Sequence, residues 1–216
     1  MSAARVTLRG RRALRSAALL VVMLLAACSR LASQPTPSAP PLPAEDKHAE
    51  HLAKVSSFSP WRLAGRIAVQ REDKGFSADL DWREAGADYS LRVAAPLNGG
   101  TYALSGNGKA VSLVSSKGDI FSAADPETLM REHLGWALPL SGARYWVRGI
   151  PDPDPAHVVS DARLDEAGRW TDFAQDGWRV NVLEYMHVSD RDLPKRLTLS
   201  HDELRVRMAI KTWEQR

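Results

Sequence analysis

The sequence predicts a mainly β (α+β) domain: an open, curled antiparallel β-barrel of about eleven strands, with a helical lid inserted between strands six and seven and a short N-terminal helix. Three observations predict it. From Trp61 onward apolar side chains recur at every second position, the period of a sheet with one buried and one wet face. Turn pairs such as Asn107-Gly108, Lys117-Gly118 and Asp176-Gly177 cut that alternation at short intervals. One interruption, opening at Asp125-Pro126 and stopping at Gly135, carries helix punctuation instead.

The chain begins with a basic head, Arg5, Arg9, Arg11, Arg12 and Arg15, followed by an apolar run from Ala17 to Ala27. That run suits a secretory signal and is too short to span a bilayer. Leu25, Ala26, Ala27 and Cys28 close it, and Cys28 is the single cysteine of the chain. The pattern resembles the bacterial lipoprotein box, which implies cleavage before Cys28 and acylation of that residue. A single acyl chain holds a protein only marginally, whereas several make a stable anchor. Ser29 stands where an aspartate commonly means retention in the inner membrane, so the resemblance implies the outer membrane, periplasmic face.

Three segments follow: residues 1–27 as signal peptide, 28–44 as lipidated cysteine and linker, and 45–216 as the folded domain. The formal charge of +3 misleads, because the discarded head takes five of the 29 basic residues and none of the 26 acidic ones. Nothing global then argues for nucleic acid. With its cysteine lipidated, the domain has no disulfide available and must be held by its core. The linker holds Pro35, Pro37, Pro40, Pro41 and Pro43, a composition that favours extended polyproline II over a core.

Glu45 to Ser57 reads as a short helix with Leu52 and Val55 on one side. His48 and His51 stand three apart as a conceivable metal pair, but no third ligand is near in sequence, and a solvated helix is the expected reading. Strand after strand follows. Trp61, Leu63, Gly65, Ile67 and Val69 share one phase, as do Phe76, Ala78, Leu80 and Trp82; the alternation returns in Tyr89, Leu91 and Val93, in Tyr102 and Leu104, and in Val111 and Leu113. It resumes in Trp178, Val180 and Val182, in Leu197 and Leu199, and in Leu204, Val206, Met208 and Ile210. Trp213 breaks phase with Met208 and Ile210, which predicts a rim position or a bulge.

The insertion comprises a helix from Pro126, with Leu129, Met130, His133 and Leu134 on one side, and a second from about Ser141 to Arg148 carrying Trp146. Asp152, Pro153, Asp154 and Pro155 then form a stiff loop, read as solvated rather than metal-binding. No GxSxG, HExxH, CxxC or P-loop is present. Asp79 and Asp81 share a strand face, but that face is the wet one and no partner for them is visible in sequence. No catalytic residue, metal ligand or cofactor is expected.

Seven tryptophans are the unusual feature. Trp61, Trp82 and Trp178 fall on the inward phase and Trp146 on the inserted helix. Any one could simply fill a core; several round a curled sheet under a helical cover suggest a wide apolar interior.

In order, the opening strand Leu63 to Val69, the strand and loop from Tyr89 to Gly99, the segment Tyr145-Trp146-Val147-Arg148-Gly149-Ile150-Pro151 and the closing strand near Trp213 resemble the LolB family of outer-membrane lipoprotein receptors. The resemblance covers roughly residues 61 to 213. It implies an open lidded barrel whose cavity takes the acyl chains of lipoprotein cargo, delivered by the soluble periplasmic carrier LolA, for the inner leaflet of the outer membrane; a monomer is expected. In that family a leucine after a proline protrudes between the third and fourth strands and is needed for insertion, which implies that role for Leu97 after Pro96. Asn98 departs from the glycine common there and puts the loop's shape in question. The expected acyl-chain contacts on the sheet are Ile67, Val69, Leu80, Trp82, Leu91 and Val93, joined by Leu129 and Trp146 of the lid and by Trp178 and Val180. Two rivals stay open: a lipid-anchored assembly partner whose barrel is filled by its own side chains, and an envelope sensor that binds lipid without moving it.

Overall fold

The computed structural model describes residues 44–95 and 100–215. The signal segment, Cys28, most of the linker, Pro96 and Leu97 lie outside the described residues. Helix α1 spans Ala44–Ser56. Six strands follow: β1 Trp61–Arg71, β2 Lys74–Ala85, β3 Asp88–Ala94, β4 Thr101–Gly106, β5 Val111–Val114 and β6 Ile120–Ala123. Helices α2, Pro126–Leu134, and α3, Leu140–Trp146, precede β7 Val159–Leu164, β8 Trp170–Gln175, β9 Trp178–Val188, β10 Arg191–His201 and β11 Leu204–Gln215. None of the described helices is long and apolar enough to cross a membrane.

All eleven strands form one antiparallel sheet in the order β6-β5-β4-β3-β2-β1-β11-β10-β9-β8-β7. The chain's first and last strands pair in the middle, and consecutive strands β6 and β7 form the two edges. The sheet is therefore unclosed, and the segment linking its edges carries α2 and α3. The expected meander, its strand number and the place of the insertion all hold.

Register shifts interrupt the pairing of β1 with β11, β9 with β10 and β7 with β8. On β11 the register passes from Thr212 opposite Ala64 to Ile210 opposite Gly65, leaving Lys211 without a partner position on β1. This extra residue returns Trp213 to the inward phase, where it is only 7% exposed and donates from Nε1 to the Pro194 carbonyl at 2.9 Å. The phase break thus marks a bulge, and the rim position is corrected to a buried one. On β10 the register skips Lys195, next to Pro194; proline lacks a ladder donor and is tolerated at such a bulge.

The outer face is ionic. Arg62 bridges Asp81 and Glu214, and Arg66 lies 3.7 Å from Asp79. The two aspartates therefore do have partners, supplied across the strand pair β1–β2, where sequence distance hid them.

Helix α1 corrects the expectation of a solvated helix. Val55 and His51 are both buried, and Arg191 of β10 donates to the Lys54 carbonyl at 2.8 Å while lying over the Phe58 ring at 5.1 Å. His48 Nδ1 donates to the Gly168 carbonyl at 2.8 Å. His51 packs edge-on to Tyr185, with centroids 6.0 Å apart, and burial lowers its pKa. Both histidines dock the helix.

Candidate functional site

The insertion is built by local signals. Asp125 caps α2 by accepting from Thr128 N at 2.8 Å, Pro126 occupies the first turn, and Gly135 ends the helix at φ 78°. Helix α3 has no side-chain cap of its own at Pro139. Glu127 of α2 supplies one, its Oε1 accepting from Leu140 N at 2.9 Å, so the two helices are tied together.

Beneath them is a small apolar void. Ile67, Leu80, Trp82, Leu91 and Val93, five of the ten anticipated residues, line it together with Tyr102, Leu104, Leu113 and Met208 of the sheet. Met130, Leu134, Trp136 and Leu138 of the insertion cover it. Of the other five, Val69 borders a surface groove with Phe76 and Trp136, and Trp178 borders another. Leu129, Trp146 and Val180 are buried but do not line the void. Tyr102, Leu104, Leu113 and Met208 share the inward phase and could have been added from the alternation; Trp136 and Leu138 carried no periodic signal.

The void holds about 20 Å3, room for about one water molecule. A wide interior is thus not what this conformation has. Apolar walls gain dispersion contacts by meeting, and here the aromatics meet: Trp61 lies 5.5 Å from both Trp82 and Trp213, and Trp146 lies 5.9 Å from Trp178, centroid to centroid. An acyl guest requires the cover to move.

The cover is held unevenly. Helix α3 and the loop after it are hydrogen-bonded to both wings of the sheet. On one wing, Glu84 of β2 accepts from Trp82 Nε1 at 2.9 Å and faces Arg144 of α3 at 3.6 Å. Burial pushes the Glu84 carboxyl up to about 7, with Arg144 and the Trp82 indole pulling the other way. Arg148 is also buried and donates to the Arg144 and Val55 carbonyls at 3.0 and 3.2 Å. On the other wing, Gln175 of β8, 1% exposed, accepts from Trp146 Nε1 and Asp152 N, both at 2.8 Å. Its amide donates to the carbonyls of Asp152 and His157 at 3.0 and 2.8 Å. The Asp152 to Pro155 loop, expected to be solvated, is therefore pinned at its base.

Helix α2 and the connector 135–139 differ. Among the described residues no hydrogen bond or ion pair joins them to the sheet; a stack of His133 on Phe121 at 3.8 Å supplements their apolar packing. Half of the lid is latched by polar contacts and half rests on grease.

These features define the class: an unclosed antiparallel barrel whose apolar interior is shut by a two-helix lid. The family model described as Outer membrane lipoprotein LolB matches residues 59–213. This chain belongs to the LolB family of outer-membrane lipoproteins. The Outer-membrane lipoprotein LolB of Nitrosococcus oceani is 34% identical over 91% of this chain and 94% of its own length. That of Alkalilimnicola ehrlichii is 35% identical over 90% of this chain and 93% of its own. Among solved structures, the LolA superfamily protein NE2245 from Nitrosomonas europaea has a TM-score of 0.45 at 8% identity, covering 82% of this chain and 94% of that one. A putative outer membrane lipoprotein-sorting protein domain from Vibrio parahaemolyticus has a TM-score of 0.45 at 7% identity, covering 80% and 93%.

Proposed function

We propose that this protein is the outer-membrane receptor that takes acylated lipoproteins from the soluble periplasmic carrier LolA, shelters their acyl chains under its lid and releases them into the inner leaflet of the outer membrane. It works as a monomer without cofactor, metal or nucleic acid. The observation that supports this best is an apolar interior, closed on one side of its lid by packing alone, inside a sheet left unclosed where that lid enters.

Three acyl chains of roughly fifteen methylenes would cost on the order of 35 kcal/mol to expose to water. Transfer must therefore run from one apolar enclosure to another and then to the bilayer. Each stop hides the chains comparably, so no nucleotide is needed.

The segment assignment belongs to the same reading: residues 1–27 are removed, Cys28 carries the lipid, and residues 28–44 tether a domain of residues 45–216. Pro96 and Leu97 form the insertion loop. A turn at these positions is supported by the hydrogen bond from Ala95 N to the Gly100 carbonyl at 3.0 Å, which joins the ends of β3 and β4 on either side of them. Depletion of the protein in cells tests the proposal. Other lipoproteins should build up at the inner membrane or on the carrier; their normal arrival at the outer membrane would refute it.

A further inference from the structure

Trp136 is the one described residue that borders the inner void and two surface grooves together. One groove, of about 410 Å3, runs beside the β1–β2 hairpin with Val69, Phe76 and Leu134. The other, of about 700 Å3, holds Trp178 and Leu204. The Trp136 side chain is 6% exposed, yet its Nε1 has no hydrogen-bond partner. A buried donor without an acceptor is a standing cost, which most folds avoid. The ring sits on the connector between Gly135, at φ 78°, and Pro139, where no hydrogen bond to the sheet restrains it. At the far end of β2 the lid is fastened through Glu84 and Arg144, whereas at this end Phe76 meets Trp136 with centroids 6.2 Å apart. The wall can yield here without breaking a polar contact.

We propose that Trp136 is the gate of the interior. An acyl ester enters from the groove beside the β1–β2 hairpin by displacing the indole, and the indole N–H then takes the ester carbonyl as its acceptor. The occupant follows from the chemistry at the site: a long apolar tail for the interior, and one carbonyl oxygen for one donor at its mouth. This inference rests on the acyl-receiving function proposed above.

The test uses the mature full chain in phosphatidylcholine vesicles, offered a diacylglyceryl-cysteine peptide with a photoactivatable group on one acyl chain, and its ether-linked counterpart. Labelling sites are mapped by mass spectrometry. In the wild type, Phe76, Leu134 and Trp136 label first, and Ile67 and Leu91 label later. Trp136→Ala labels the interior faster. Trp136→Phe, which keeps the plug without the donor and guards against misfolding of the alanine variant, holds the ester probe about fivefold less well, the worth of one hydrogen bond. It holds the ether probe as the wild type does. Equal interior labelling rates in the wild type and Trp136→Ala overturn the gate, and equal retention of both probes by the wild type overturns the role of the indole. In either case interior labelling leaves the receiving function standing. Its absence from every variant sinks both.

Discussion

The indole of Trp82 donates to Glu84 at 2.9 Å from two residues away on the same inward-facing row of β2. The row thus changes from apolar to acidic where α3 crosses it, and a carboxyl only 5% exposed meets Arg144 there. Burial raises the Glu84 pKa from 4.5 to about 7. Between those values the folded protein holds a proton that the unfolded chain has lost, so stability falls as pH rises through this window. The full effect is about 3 kcal/mol. Glu84→Gln keeps an acceptor for the indole and removes the charge. Urea midpoints should fall between pH 5 and pH 8 in the wild type and change far less in the variant; a wild-type midpoint that climbs with pH contradicts the assignment.

Gly65 and the β11 bulge form a second such device. A Cβ on Gly65 would lie 2.3 Å from the Ala209 carbonyl oxygen and 2.8 Å from Ile210 Cα, both backbone atoms that cannot rotate away. Gly65→Ala should therefore cost about 2–3 kcal/mol by overpacking, with loss of the ring contacts of Trp213. A lowered melting temperature and a reduced near-ultraviolet tryptophan signal would show it, whereas a neutral substitution would mean that β1 and β11 separate more easily at the bulge than their close approach indicates.

Most of the fold is legible because its determinants are local. The alternation from Trp61 to Trp82, the Asp125-Pro126 start and Gly135 stop of α2, and the phase break at Trp213 each fit within a few residues. The residues that hold the lid are not local. Glu84 continues the inward parity of Leu80 and Trp82, a usable signal, but its partner Arg144 is 60 positions on. Gln175 looks like an ordinary polar residue before a turn until Trp146, Asp152 and His157 are brought to it. His51 shares a helical face with Val55 at a spacing of four, which the polarity of histidine disguises. Interior volume has no sequence signature, because the inward parity of Trp61, Trp82 and Trp178 reads the same whether their rings line a pocket or, as here, pack against other rings.

Gln175 offers the sharpest test of the polar latch. Gln175→Leu preserves bulk and leaves the Trp146 indole, the Asp152 amide and the Asp152 and His157 carbonyls without their partner. Each buried group stranded in this way costs about 1–3 kcal/mol; since Asp152 and His157 are half-buried and can rehydrate, the expected loss is about 3 kcal/mol. Amide exchange at Asp152 should rise far more than exchange in β1. Uniform acceleration across the chain would instead mean that the loop and sheet open as one unit.

Leu97 separates the two halves of the proposed activity. Ala95 N donates to the Gly100 carbonyl at 3.0 Å, and neither of these flanking residues lines the void or borders the grooves at Trp136. A change between them should leave cargo reception intact. Leu97→Glu replaces an apolar tip by a carboxylate, which an anionic leaflet repels and an acyl region accepts poorly. The variant should take acylated cargo from the carrier at the wild-type rate and fail to deposit it in vesicles, accumulating as a receptor–cargo complex. Wild-type deposition would remove the loop from the mechanism and leave release to lid motion alone. Failure of reception as well would place Leu97 on the carrier-facing surface rather than the membrane-facing one.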